Sequence, residues 1–82
     1  MKKVILIKNM DSDLLGFYLN MYGLKIKKQY SDLDYQILSK EEANELIIEY
    51  NIKEFPVLLL IEDDILIEKI NGFGFLNRIP AF

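Results

Sequence analysis

The fold of this chain turns on Tyr50-Asn51-Ile52-Lys53-Glu54-Phe55-Pro56-Val57-Leu58-Leu59-Leu60-Ile61. Asn51-Ile52-Lys53-Glu54 ends an amphipathic helical segment. Pro56 has no N–H to give to a strand ladder, so it belongs at a strand entrance. Val57 to Ile61 is then apolar without alternation, the pattern of a strand covered on both faces. Val4-Ile5-Leu6-Ile7 near the start has the same character. Two such strands need helices on both sides of one sheet, and 82 residues leave room for a single domain, 1–82.

Upstream of Tyr50 the pattern is helical. Ser39 with Glu42 three residues later reads as a capping box. Ala43, Leu46, Ile47 and Tyr50 make one apolar stripe, with Glu41, Glu42, Glu45 and Glu49 facing water. Tyr35 to Leu38 reads as a short strand after the turn Ser31 to Asp34. Between the first strand and that turn lies a longer helix, expected from about residue 12 to 28. Asp11, Ser12 and Asp13 are all cap-type residues at its start. Leu15, Leu19, Tyr22 and Ile26 form one apolar row and Leu14, Phe17, Met21 and Leu24 a second, so the helix is expected to be largely buried. Gly23 is its weak point: it ends the helix, or sits inside it at about 1 kcal/mol.

Downstream, Glu62-Asp63-Asp64 reads as a tight turn into an antiparallel strand, Ile65 to Ile70, broken by Asn71-Gly72. Phe73 to Ile79 leaves space for one or two helical turns before Pro80. The element order is β-α-β-α-β-β, with a right-handed parallel crossover first and a hairpin last. The fold class is α/β: a mixed four-stranded sheet, helices on both faces, and a shortened C-terminal helix.

Composition excludes much chemistry. There is no cysteine and no histidine, hence no thiol nucleophile, no Cys/His zinc site and no imidazole base. Net charge is −3, against a free-standing nucleic-acid binder. Residues 1–30 carry +4 and residues 31–82 carry −7, a separation that can orient docking. The apolar run after Lys2 and Lys3 stops at Lys8, too short for a signal peptide, and no run is long enough to span a bilayer, so a cytoplasmic protein is expected. The abundance of Lys, Ile, Asn, Tyr and Leu points to an AT-rich genome, bacterial or viral.

The joint order of these segments resembles the thioredoxin/glutaredoxin superfamily. Three places carry the resemblance: the strand-to-capped-helix junction Ile7–Leu15, the segment Tyr50–Leu60 around Pro56, and Ile65 to Gly72-Phe73. The resemblance implies a cis Phe55–Pro56 bond and an ability to dock an extended segment beside it. It also sets the family's two redox cysteines on or near Ser12 and Leu15. Neither position is cysteine, and dithiol exchange needs a thiolate, so the family's oxidoreductase activity is not carried over.

The expected function is therefore a non-redox interaction or assembly module, an accessory subunit docking on a larger protein. The alternative is a glutathione- or small-thiol-binding protein using the cleft beside Pro56, with Ser12 as hydrogen-bond donor. The degenerate active-site region would comprise Asp11, Ser12, Asp13, Leu15, Phe55 and Pro56. Phe73, Phe75, Leu76, Ile79 and Phe82 form a second candidate surface, in which the side chains either plug the sheet face or leave it open to a partner. Lys25, Lys27 and Lys28 make a small basic patch, or an ordinary solvated face. The pairs Asp11/Asp13 and Asp63/Asp64 read as a cap and a turn rather than as cation ligands. No cofactor, metal, nucleic acid or membrane is expected; the partner is a protein.

Overall fold

A computed structural model describes residues 1–9 and 13–78. Strands β1 (Lys2–Ile7), β2 (Asp34–Leu38), β3 (Val57–Glu62) and β4 (Ile65–Asn71) form one sheet in the order β2-β1-β3-β4. β1 runs parallel to β2 and antiparallel to β3, and β3 pairs antiparallel with β4. Helix α1 (Asp13–Gln29) joins β1 to β2, helix α2 (Asn44–Glu49) joins β2 to β3, and a 3₁₀ turn, η1 (Gly74–Asn77), follows β4. The order and the mixed sheet are those expected from the sequence.

Alternation along the two central strands divides the core into two layers. Val4 and Leu6 of β1 with Leu58 and Leu60 of β3 face α1, which contributes Leu19, Tyr22 and Ile26. Ile5 and Ile7 with Val57, Leu59 and Ile61 face the α2 side, against Ala43, Leu46, Ile47 and Ile52. Val57 to Leu60 are completely buried, as the unbroken apolar run requires.

Local chemistry fixes the connections. The Ser39 N–H donates to Glu42 Oε1 at 3.0 Å, and the Glu42 N–H donates to Ser39 Oγ at 3.1 Å. The capping box forms, but it opens a turn over residues 40–43, and regular helix starts only at Asn44. At the other end Asn51 takes a left-handed φ of 52°. The Ile52 N–H reaches the Ile47 carbonyl at 3.0 Å and the Asn51 N–H that of Ile48 at 3.3 Å, a Schellman closure. The β3–β4 turn puts both Asp63 and Asp64 at positive φ, the geometry of a type I′ hairpin.

Of the two places open to Gly23, the structure takes the second: it lies within α1, and the Tyr35 ring occupies the space where a Cβ would stand, 2.6 Å from Tyr35 Cε2. Tyr35 is held there by its hydroxyl, which donates to the Leu19 carbonyl at 2.9 Å. One expectation is corrected: α1 is not largely buried. Its first row packs on the sheet, whereas Leu14, Phe17, Met21 and Leu24 stand in water. The C-terminal aromatics divide: Phe75 is fully buried against Tyr22, rings 5.0 Å apart and edge-to-face, Leu76 is half-buried, and Phe73 is exposed. Ile79 and Phe82 lie outside the described residues.

Replacing Gly23 by Ala should raise helix propensity by about 1 kcal/mol yet lower overall stability. The overlap with the tethered Tyr35 ring should cost about 1–3 kcal/mol, read as a lower midpoint in urea unfolding. A raised midpoint would mean that Tyr35 moves aside freely.

Candidate functional site

Two regions of the molecule bear on function. The first is the corner where β1 enters α1, beside Phe55-Pro56. Asp11 and Ser12 lie outside the described residues, and Asp13 is the first residue of α1. Leu15 is half-buried against the α1-side core. The Phe55–Pro56 bond is cis, and Pro56 is buried. The Pro56 carbonyl accepts the Gly72 N–H at 2.8 Å, which ties the end of β4 to the start of β3. The Phe55 ring turns to the α2 side, with Lys40 Nζ 4.5 Å from its centroid. Phe55's own N–H and C=O make no backbone hydrogen bond among the described residues.

The second region is the outer side of α1. Leu14 (65% exposed), Phe17 (58%), Met21 (52%) and Leu24 (63%) follow a 3-4-3 spacing down one stripe, with Tyr18 beside them. Met21 and Leu24 share a shallow groove with Lys25, Lys27 and Lys28. A second groove runs between α1 and η1, lined by Tyr18, Met21, Tyr22, Lys25, Leu76 and Asn77. The lysines foreseen as a basic patch thus adjoin the exposed apolar row. Lys27 and Lys28 also suit the negative end of the helix dipole.

Below this surface lies the Tyr22 hydroxyl: Tyr22 is 3% exposed, and its hydroxyl has no hydrogen-bond partner among the described residues. Burial pushes its pKa up to about 12, against the pull of Arg78. Burial also raises Tyr35, with Tyr22 adding to the effect. Arg78 itself bonds Glu68 of β4 at 3.3 Å, fastening the end of η1 to the sheet edge.

Among the described residues no three acidic side chains gather as cation ligands. Asp63 is engaged instead by the Met1 ammonium, whose hydrogen bond holds its carboxyl below the ordinary range. Among the same residues no helix is long and apolar enough to cross a membrane.

Reading the sequence found both apolar rows of α1 but assigned both to the core. The signal that separates them is a count of layers. One sheet with a helix on each face can cover only one row of each helix, and among the described residues nothing packs over the second row of α1.

No protein-family model matches the sequence, and no curated protein does. Solved structures do resemble the fold. A designed protein superposes with a TM-score of 0.74 at 18% identity, over 90% of this chain and 66% of its own. Thioredoxin O2 from Arabidopsis thaliana, in the oxidized state, gives 0.72 at 14%, over 94% and 68%. Mitochondrial thioredoxin 3 from Saccharomyces cerevisiae gives 0.66 at 22%, over 87% and 66%. At such identities the likeness is one of fold: the chain has the thioredoxin-like fold and, unlike what the resemblance implies at the helix start, no cysteine. It spans about two thirds of the length of these structures.

The two buried tyrosines set an alkaline limit on stability. Because the folded pKa of Tyr22 lies above the ordinary value of 10.0, the unfolded chain loses its tyrosine protons first. Stability is therefore expected to be level through neutral pH and to fall as pH rises above about 10. Tyr22→Phe removes the unpartnered hydroxyl, so it should be neutral or stabilising by about 1 kcal/mol, and it should move alkaline unfolding to higher pH. Circular dichroism against pH reads both effects; strong destabilisation at pH 7 would show that the hydroxyl has a partner in solution.

Proposed function

We propose that this chain is a non-redox binding module, an accessory subunit that docks on a larger protein through the outer side of α1. The observation that carries the reading is the second row of α1, Leu14, Phe17, Met21 and Leu24, each more than half exposed on a regular helix. Large apolar side chains scattered singly on a surface need no explanation, but a contiguous stripe of them marks a contact surface. The chemistry of the chain supports the same reading. Dithiol exchange requires a thiolate attacking sulfur, and these 82 residues contain no cysteine. What remains of the scaffold is its capacity to hold surfaces.

Because Met21 and Leu24 make no part of the core, Met21→Glu and Leu24→Glu should change stability by no more than about 0.5 kcal/mol. Each should nevertheless abolish stoichiometric co-purification of a partner from the native cell. Ile48→Glu, on an exposed position of α2, should leave that complex intact. A partner retained by both α1 variants, or a monomer with no partner at all, would sink the reading.

A further inference from the structure

The outer side of α1 also carries the chemistry of its occupant. Building on the docking reading above, we infer that it receives an acidic amphipathic helix of the partner protein. Its apolar stripe would lie on Leu14, Phe17, Met21 and Leu24, and its carboxylates would meet Lys25, Lys27 and Lys28.

The charge argument comes first. The three lysines crowd the last five residues of α1, and none makes an ion pair among the described residues. From residue 14 to residue 24 the helix carries no charge at all. The surface is thus an apolar strip that ends in a concentrated positive field. The matching ligand is apolar along the strip and negative at one end, and such complementarity fixes both orientation and choice of partner.

The backbone argument fixes the conformation. α1 spends its own N–H and C=O groups internally and offers only side chains over these residues. An extended segment laid on the strip would press its own backbone groups against Leu, Phe and Met with no partner for them. A helix brings its hydrogen bonds with it. The strip covers ten residue steps, about 15 Å, or close to three turns of a docked helix, and the groove between α1 and η1 gives such a helix a side wall at Leu76.

Two other occupants fit less well. A second copy of this chain, with α1 antiparallel to α1, would set one acidic helix position, 13, against three lysines. A phosphate backbone would use the lysines and leave the apolar strip bare.

The test uses the full chain and two synthetic peptides. Both carry leucines at helical i, i+3, i+4, i+7 spacing; one has glutamates at the remaining exposed positions and the other lysines. The glutamate peptide should bind at least about tenfold more tightly than the lysine peptide. Its affinity should weaken with salt, and backbone amide shifts should concentrate between Leu14 and Lys28. The triple variant Lys25→Glu, Lys27→Glu, Lys28→Glu should reverse the preference. Equal affinity for the two peptides, or no α1 shifts with either at millimolar concentration, would overturn the inference. So would a dimer in sedimentation that Leu24→Glu dissociates. If Leu24→Glu still released the native partner while the peptides showed no preference, the docking reading would stand and only the acidic partner would fall. If Leu24→Glu left the native complex intact, both would fall.

Discussion

Val57 to Leu60 have no contact with water on either face, and this complete burial of β3 is the constraint from which the rest of the structure follows. A strand with no solvent side must be paired at both edges and covered above and below. β1 and β4 supply the pairing. Cover comes from α1 and the buried Phe75 ring on one face, and from α2 with Ile52 on the other. Each connection is bent to that end. The carbonyl of Pro56 ties the entry of β3 to the exit of β4, and the Arg78–Glu68 pair draws η1 down over the sheet edge. Among the described residues no further layer lies outside the two helices, and the consequences fall on α1.

What the sequence made legible was whatever depended on nearest neighbours. Unbroken apolar runs marked β1 and β3, Ser39 and Glu42 found each other, and Asp63-Asp64 closed the hairpin. What it left illegible depended on the number of layers and on contacts far along the chain. Periodicity reports rows of apolar residues on a helix, and it cannot report whether anything stands opposite each row; hence the second row of α1 was misplaced. Gly23 is a different case. Local propensity leaves it open between a helix end and a helix interior, and the ring of Tyr35, twelve residues on, fills the place of its missing side chain inside the helix. The capping box was found correctly and its helix begun too early, because the reciprocal bonds of Ser39 and Glu42 close a turn equally well. Of the candidate site, the lysine patch could be named from sequence, whereas its proximity to exposed Met21 and Leu24 needed the fold.

The same accounting bears on chemistry. The thioredoxin-like scaffold positions a helix start beside a proline-led strand, and in this chain that junction carries no thiol. The groups perturbed most are tyrosines, Tyr22 and Tyr35, whose raised pKa values arise from burial. Both lie beneath α1, and Tyr35 bonds a helix carbonyl, so their role is to seat the helix on the sheet rather than to move protons. Charge is divided along the chain: positive in the segment that contains α1, negative over the remainder. Such a separation steers association more than it stabilises a fold.

The decisive comparison is between the two rows of one helix. Leu19, Tyr22 and Ile26 are held by the sheet, and any polar residue there would break the core. Leu14, Met21 and Leu24 contribute nothing comparable. Glutamate or lysine in their place would keep nearly the same helix propensity and would improve solubility by breaking up an apolar patch. A surface helix of an isolated domain has one apolar stripe and a polar back. α1 has a stripe on each side, which is the pattern of a helix sandwiched between two layers. One of those layers is the sheet of this chain; among the described residues nothing stands opposite the other stripe, and Lys25, Lys27 and Lys28 lie at its edge.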